Sequence, residues 1–230
     1  MSAFFITATG TDIGKTFVTA GLIRRLRSVD QDVHAIKPIM TGYDAHKAEE
    51  SDAGVLLAAL GQPPTRGAVE TISPWRYSAP LSPDMAAARE GKRLDVEALI
   101  DHTMAQIAKA KGTLLIEGVG GVMVPLDDNR TVLDWISALK IPALLVAGSY
   151  LGAISHTLTN LDVLQRAGIA VATVIVNESA GSTVPLEDTI STVRRFSCGV
   201  PVLPVPRLEH HETGRHPAFT AIATRLSLAG

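Results

Sequence analysis

The sequence contains a single cysteine, Cys198, and only 4% aromatic residues among its 230 positions. One cysteine excludes an internal disulfide and a cysteine-based metal cluster, and it suits a reducing compartment. Long apolar runs are also missing, because the longest, 141–154, is interrupted by Pro142, Gly148 and Gly152 and is too short to cross a bilayer. From these absences we expect a soluble, cytoplasmic protein that does not bind membranes.

Neither sign of charge dominates the sequence. It has 21 Lys and Arg residues against 23 Asp and Glu residues, a formal net charge of −2, and no basic cluster with interleaved aromatic residues. A nucleic-acid partner is therefore disfavoured, and a small-molecule ligand is expected. The 46% of hydrophobic residues provide ample core for one α/β domain, so we predict a single domain over 1–230.

Short apolar runs alternate with segments of helical period through most of the chain. This alternation is typical of an α/β fold with a mostly parallel sheet and helices on both faces. Strands are predicted at 4–8, 33–36, 113–116, 143–147, 170–176 and 202–205. Helices are predicted at 15–27, 52–60, 95–109, 132–139, 155–167, 186–196 and about 218–228. Five prolines between 62 and 83 predict an irregular, functional loop there.

The segment 6–19, ITATGTDIGKTFVT, has the form of a phosphate-binding loop. Gly14 frees the backbone to curl around phosphate oxygens, Lys15 can reach the β and γ phosphates, and the Thr16 hydroxyl can complete a Mg²⁺ shell. The usual pattern has glycine where this chain has Thr9, and an ordinary strand-to-helix turn is the alternative. The strand, loop and helix context favours binding of a nucleoside triphosphate.

Two charged residues follow other predicted strands, at the sheet edge where ligands of parallel sheets bind. Lys37 precedes Pro38, which keeps the strand end extended, so a functional lysine is favoured over a solvated one. Glu117 follows strand 113–116 and resembles a Walker B carboxylate with Glu in place of Asp. With Thr16 it could hold Mg²⁺. Asp52 is either a further ligand or a residue that favours the start of its helix, and the sequence leaves both open.

Taken together, these segments resemble the dethiobiotin synthetase family over nearly the whole chain. Each motif is weak alone, but their order and spacing are specific. They are TGTDIGKT at 9–16, KPIMTG at 37–42, SD at 51–52, SAPLSP at 78–83, EGVGGVMVPL at 117–126, LGAISH at 151–156, Asn177 and PVP at 204–206.

The resemblance implies a single-domain P-loop NTPase-type fold and a homodimer with active sites at the interface. It implies ATP-dependent carboxylation and ring closure of 7,8-diaminononanoate (7,8-diaminopelargonate) with CO₂ to dethiobiotin. The route runs through a carbamate and a carbamic–phosphoric anhydride, and it releases ADP and phosphate. Mg²⁺ is the implied cofactor, and ATP is the co-substrate.

The resemblance also implies roles for individual residues. The catalytic set is Lys37, Lys15 and Thr11, and the metal set is Thr16, Asp52 and Glu117. The ATP set is Asp12, Ile13, Gly14, Lys15, Thr16, Phe17, Asn177 and Pro206, with Asn177 at the adenine edge. The substrate set is Thr41, Gly118, Gly120, Gly121, Leu151, Gly152 and Ser155, the last three from the partner subunit. Asp12 replaces a glutamate that is more usual in the family, and Ser155 stands where asparagine is common.

Three other functions are alternatives to this one. A cobyrinate-type amidotransferase needs a glutaminase domain with a cysteine nucleophile, for which the chain has no room. A ParA/MinD-like switch ATPase carries a lysine in K-G-G-x-x-K-[ST], and that position is Gly10 here. A synthetase-like paralogue acting on another diamine or amino acid is left open by the sequence.

Overall fold

The computed structural model describes residues 2–209 and 211–228. Its strands are β1 (Ser2–Ala8), β2 (Val33–Ile36), β3 (Ile39–Met40), β4 (Trp75–Arg76), β5 (Thr113–Glu117), β6 (Ala143–Gly148), β7 (Val171–Asn177) and β8 (Val202–Val205). Its α-helices are α1 (Lys15–Arg27), α2 (Asp52–Ala59), α3 (Arg66–Ile72), α4 (Pro83–Arg89), α5 (Val96–Lys109), α6 (Val132–Leu139), α7 (Ala153–Arg166), α8 (Leu186–Phe196) and α9 (Pro217–Arg225). A 3₁₀ segment covers Ala45–Glu50. Within the described ranges no helix is long and apolar enough to cross a membrane.

Six parallel strands form the main sheet in the order β2-β5-β1-β6-β7-β8. β1 is central because it pairs with β5 on one side, Phe5 opposite Ile116, and with β6 on the other, Phe5 opposite Ala143. A separate parallel pair joins β3 to β4. The predicted α/β fold with a mostly parallel sheet is confirmed.

The core lies on both faces of this sheet because alternate residues of each buried strand point in opposite directions. Phe5 packs edge-to-face on Trp135 of α6, with ring centroids 4.8 Å apart, in the core that α5 and α6 help to form. Its neighbour Ile6 belongs to the opposite core, with Leu22 of α1 and Phe219 of α9. Two packed layers therefore hold β1 rigidly beneath the loop that follows it.

The prediction of an irregular loop over 62–83 is wrong in its middle, where α3 and β4 lie. Thr65 caps α3, since its hydroxyl accepts a hydrogen bond from the backbone N–H of Ala68. The prolines at 63 and 64 precede this helix and Pro74 follows it, so none interrupts its hydrogen bonds. β4 exists because β3 offers it a partner, a contact that no local pattern encodes.

Candidate active site

The loop between β1 and α1 is held in a compact, left-handed conformation. Gly14 precedes α1 with φ of 95°, and Asp12 also has a positive φ, 57°. Thr9 donates its backbone N–H to the carbonyl of Val146 in β6 over 3.0 Å, which anchors the start of the loop. The N-terminal end of α1, with its free N–H groups and positive dipole end, thus faces the loop as anion binding requires.

Lys15, the first residue of α1, is buried at this loop. Its ammonium donates to the carbonyl of Gly10 over 3.2 Å. Burial, and then the positive charge of Lys37, lower the pKa of Lys15 to about 8. An anionic ligand beside Lys15 would stabilise its protonated form and so raise this lowered pKa.

Four side chains form a tight network beside the loop. Thr16 Oγ1 lies 2.8 Å from Asp52 Oδ1 and 2.7 Å from Glu117 Oε1. Lys37 Nζ lies 2.8 Å from Asp52 Oδ2 and 2.8 Å from Glu117 Oε1, and it also donates to the carbonyl of Gly118 over 2.8 Å. Residues from α1, α2, β5 and the end of β2 therefore converge on one point.

Burial makes this network electrostatically strong. The Lys37 side chain is 2% exposed and that of Glu117 is fully buried. Burial alone would lower the pKa of Lys37, but Glu117 and Asp52 outweigh it and raise that pKa. Burial would likewise raise the pKa of Asp52, yet Lys37 and the Thr16 hydrogen bond hold it below its usual value. The network therefore holds a protonated lysine beside an ionised Asp52.

Ser51 decides between the two roles that the sequence left open for Asp52, metal ligand or helix-start residue. Ser51 caps α2, because its hydroxyl accepts from the backbone N–H of Gly54 over 3.1 Å. Asp52 is in the first helical turn, and its carboxylate turns toward Thr16 and Lys37 instead of capping the helix. Its side chain thus belongs to the network.

The oxygen atoms of the network suit Mg²⁺. In an octahedral shell with metal–oxygen distances of about 2.1 Å, neighbouring oxygens lie about 3 Å apart. The Thr16 hydroxyl has this spacing to one oxygen each of Asp52 and Glu117. The second oxygen, Glu117 Oε2, is buried and has no hydrogen-bond partner. Such an unsatisfied acceptor fits a cation. Among the described residues no group of three or more His, Cys, Asp or Glu could hold a metal, so phosphate oxygens would have to complete the shell.

Two cavities open on either side of the phosphate-binding loop and share Asp12, Gly14 and Phe17. The larger, about 840 Å³, is lined by Thr16, Lys37 and Asp52 of the polar network and also by apolar side chains. Besides the three shared residues, the site residues predicted from the sequence that line this cavity are Thr11, Lys15, Thr16, Lys37, Thr41, Asp52 and Gly120. Its apolar wall includes Met40, Val55, Pro80, Leu81, Val119 and Val124.

The smaller cavity, about 540 Å³, lies at the carboxyl end of β7. Asn177 and Pro206 line it together with Ile13. The Asn177 amide donates to the carbonyl of Ile13 over 3.0 Å, which positions the side chain against the loop. The cavity is large enough for a nucleoside and continuous with the loop that would hold its phosphates.

Five predicted substrate residues line neither cavity. A Cβ on Gly118 would come within 2.7 Å of the Phe5 ring, and one on Gly121 within 3.3 Å of Gly10, so these glycines permit close packing behind the site. The other three, Leu151, Gly152 and Ser155, are exposed, Leu151 by 84%. Within one chain the structure does not bring them to the network.

Sequence reasoning missed several cavity residues. Glu178 and Ser179 directly follow Asn177 at a strand end, and Tyr150 follows β6, so the strand-end rule could have found them. The apolar wall of the larger cavity carries no such signal, since single apolar residues from separate segments form it.

Comparison with known proteins agrees with this geometry. A family model described as an AAA domain matches residues 2–212. The chain is 50% identical to the ATP-dependent dethiobiotin synthetase BioD of Acidiphilium cryptum (strain JF-5), covering 87% of this chain and 91% of the relative. It is 43% identical to that of Phenylobacterium zucineum (strain HLK1), with 91% of each chain covered. With the Bacillus subtilis (strain 168) protein of the same name it shares 33% identity over 90% of this chain and 88% of the relative.

Solved structures show the fold alone. The MinC:MinD complex of Aquifex aeolicus matches with a TM-score of 0.59 at 16% identity, covering 100% of this chain and 97% of that one. A ParA family ATPase from Chlorobium tepidum TLS matches with a TM-score of 0.54 at 14% identity, covering 98% and 94%. These low identities do not favour a switch ATPase. The identities to the dethiobiotin synthetases are much higher, 33–50%, over similar shares of the chain. The chain belongs to the ATP-dependent dethiobiotin synthetase family.

Proposed function

We propose that this chain closes the ureido ring of dethiobiotin from 7,8-diaminononanoate, CO₂ and ATP, releasing ADP and phosphate. The observation that carries the proposal is the position of Lys37, whose ammonium lies 2.8 Å from Glu117 on the wall of the larger cavity, beside the phosphate-binding loop. Relatives up to 50% identical bear the name of this ATP-dependent synthetase. A buried cation next to a triphosphate site suits a reaction in which negative charge accumulates.

ATP binds across both cavities in this proposal. The base enters the smaller cavity between Asn177 and Pro206, and the phosphates follow residues 12–17 to Lys15. One N–H of the Asn177 amide bonds to Ile13, while its second N–H and its carbonyl oxygen suit the adenine edge. At its N6/N7 edge adenine presents one donor and one acceptor, whereas guanine presents two acceptors, so the amide favours ATP over GTP.

Thr16, Asp52 and Glu117 are the proposed Mg²⁺ ligands. When bound, the metal supplies charge neutralisation for the triphosphate. The lysines act directly on the reacting groups: Lys15 neutralises the terminal phosphates, and Lys37 neutralises the carbamate oxygens as the γ-phosphoryl group moves. Thr11 offers a hydroxyl to the same groups from the larger cavity.

The reaction balances in three steps. One amino group attacks CO₂ and loses a proton, which gives a carbamate. A carbamate oxygen then attacks the γ-phosphorus and ADP leaves, which gives the carbamic–phosphoric anhydride. The second amino group attacks the carbamate carbon and loses a proton, phosphate leaves with the bond electrons, and the ring closes. Because the last step is intramolecular, positioning of the diamine by the protein contributes most to it.

The substrate lies in the larger cavity, with its amino groups near Thr11, Thr41 and Gly120. Its alkyl chain suits the apolar wall that includes Met40 and Leu81, whereas Gly118 and Gly121 act by letting the loop pack closely. We assign the substrate's distal carboxylate to Leu151, Gly152 and Ser155 of a second copy, so the enzyme is a homodimer. The exposure of Leu151 supports this assignment.

The same proposal covers the organisation of the chain. Residues 1–230 act as one synthetase domain, since the strands on both sides of 62–83 belong to one sheet. The enzyme works in the cytoplasm, which suits its single cysteine, Cys198, a free thiol exposed to solvent.

The test measures phosphate release from Mg·ATP and bicarbonate, with and without 7,8-diaminononanoate, followed by mass spectrometry of the product. We expect release that requires the diamine and a product with the mass of dethiobiotin. Lys37→Ala should abolish turnover while the circular dichroism spectrum stays that of a folded protein, with a lower melting temperature because Asp52 and Glu117 lose their buried partner. Lys47→Ala, which alters an exposed lysine paired with Glu50, is the matched control and should retain full activity.

Diamine-independent hydrolysis would contradict the proposal and favour a ParA/MinD-like switch ATPase. Release that depends on another diamine or an amino acid, with none from 7,8-diaminononanoate, would identify a paralogue with a different substrate. Full activity of Lys37→Ala would remove this lysine from the mechanism.

A further inference from the structure

The Lys37 ammonium occupies the position that a cation would take between two carboxylates. It lies 2.8 Å from Asp52 Oδ2 and 2.8 Å from Glu117 Oε1, and it is almost completely buried. Glu117 Oε1 accepts from Lys37 and from Thr16 at once. The same oxygens belong to the proposed Mg²⁺ ligands, so the lysine and the metal compete for them.

Charge explains why the lysine lies between the two carboxylates. Asp52 and Glu117 place two carboxylates in the network, and Glu117 is fully buried. A buried carboxylate needs a paired cation and hydrogen bonds. Lys15 does not supply this contact, because its ammonium is bonded to the carbonyl of Gly10. Lys37 is therefore the group that neutralises the two carboxylates directly.

We propose that Lys37 is an internal placeholder for the divalent cation, and that metal binding moves its ammonium off Glu117 and into the larger cavity. Two cations that share Glu117 Oε1 repel each other strongly in a buried site. The displaced ammonium remains within reach of the cavity that Lys37 lines, where the reacting groups of the proposed reaction lie. The catalytic lysine becomes available only after metal and nucleotide have bound. This inference rests on the proposed function for the identity of those reacting groups.

One consequence is that the nucleotide-free protein binds free divalent cations weakly. The carboxylates already have a partner in Lys37, and a metal would have to displace it without gaining phosphate oxygens. With a nucleotide, the phosphates supply further oxygen ligands for the metal and negative charge for the displaced ammonium. Metal and nucleotide should therefore bind together.

Mn²⁺ binding to the nucleotide-free protein, followed by electron paramagnetic resonance, tests the placeholder without any turnover. We expect Lys37→Met to bind Mn²⁺ about tenfold or more tightly than the parent chain, because the carboxylates lose their occupant. Lys15→Met removes one positive charge from the same site but no contact with the carboxylates, so it is the matched control. It should tighten Mn²⁺ binding clearly less. Lys37→Gln provides a second neutral variant should Lys37→Met fail to fold.

Equal tightening in Lys37→Met and Lys15→Met would overturn the placeholder and leave only a general charge effect. No tightening in Lys37→Met or Lys37→Gln would overturn it as well. A crystal structure with Mg²⁺ and a non-hydrolysable ATP analogue provides the second test. We expect Lys37 Nζ beyond hydrogen-bond distance of Glu117 Oε1, and persistence of that bond beside the metal would contradict the inference. Neither readout uses the diamine, so failure of the proposed reaction leaves both results interpretable.

Discussion

The Asn177 amide donates to the carbonyl oxygen of Ile13 over 3.0 Å, and so joins the end of β7 to the phosphate-binding loop. The same side chain fills the space beside Gly14, where its Cγ would lie 3.3 Å from an added Cβ. The smaller cavity and the phosphate-binding loop are therefore one packed unit. A change on either side of this contact should alter nucleotide binding.

Gly14→Ala should weaken both the fold and nucleotide binding. The alanine would have to adopt φ of 95°, at a cost of roughly 1–2 kcal/mol, and its Cβ would collide with the Asn177 amide nitrogen. We expect a lower melting temperature and a loss of ATP binding by calorimetry. Gly67→Ala, in α3 with no atom within 4 Å of the new Cβ, should be neutral or stabilising by up to about 1 kcal/mol. A Gly14→Ala protein with parental ATP affinity would show that the loop can relax.

Asn177→Ala should weaken ATP binding roughly tenfold and reduce the preference for ATP over GTP, because the amide that suits the adenine edge is lost. Affinities for both nucleotides are measured by calorimetry. Asn160→Ala is the control, since that amide donates to the carbonyl of His156 on the exposed side of α7. Equal affinities of the parent chain for ATP and GTP would contradict the role of Asn177.

Glu117→Gln should lower kcat by about 100-fold or more and raise the Mg²⁺ concentration needed for half-maximal activity. The amide keeps the shape of the side chain but removes the charge that faces Lys37 and the proposed metal. Activity is measured across a Mg²⁺ titration. Asp162→Asn changes an exposed carboxylate paired with Arg166 and should behave like the parent. A parental Mg²⁺ dependence in Glu117→Gln would remove this residue from the metal set.

Leu151→Glu should dissociate the proposed homodimer. A buried leucine stabilises an interface by about 1.5–3 kcal/mol. Loss of one leucine side chain from the interface should therefore weaken association roughly tenfold to a hundredfold. Analytical ultracentrifugation measures the change. Met104→Glu, at another exposed apolar residue in α5, is the control and should stay dimeric. A dimer that survives Leu151→Glu unchanged would place the interface elsewhere.

A mixing experiment tests the shared site separately. Lys37→Ala and Ser155→Trp chains should each be inactive, the second because the bulky side chain blocks the partner's substrate. Mixed dimers should recover part of the parental activity, because one of their two sites then has both parts intact. No recovery, despite exchange of subunits, would contradict sites shared between chains.

Stability should fall with acidity through His102. Burial, and then Lys109, lower the pKa of His102 below 6.5, and its Nε2 is buried without a hydrogen-bond partner next to Trp75. Between the native pKa of His102 and pH 6.5, the unfolded chain binds more protons than the folded protein. The stability that neutral His102 contributes is therefore fully present above pH 6.5 and is lost as the pH falls below it. Melting temperatures of His102→Gln should depend less on pH than those of the parent. His46→Gln, at an exposed position, should keep the parental slope, and an unchanged slope in His102→Gln would contradict the assignment.

Most strands and helices of the main sheet could be predicted because their signals are local. The buried β1 and β6 are mostly apolar runs, and α1 begins within the GKT of its loop. Predicted ends coincide with the observed ones or differ from them by at most three residues. The segment 62–83 could not be predicted in full, because its short α3 depends on the Thr65 cap and its β4 on pairing with β3.

Motif order and periodicity are properties of the chain alone, so they were sufficient to predict the phosphate-binding loop, the parallel sheet and the family. They also identified Lys37 and Glu117 as charged residues at strand ends. The folded structure was needed to show that these two residues share a hydrogen bond across 80 residues and that Asp52 joins them while Ser51 caps the helix. It was also needed to show that Glu117 keeps one unsatisfied oxygen. Those facts depend on distance and burial, which arise when separate strands bring their ends together.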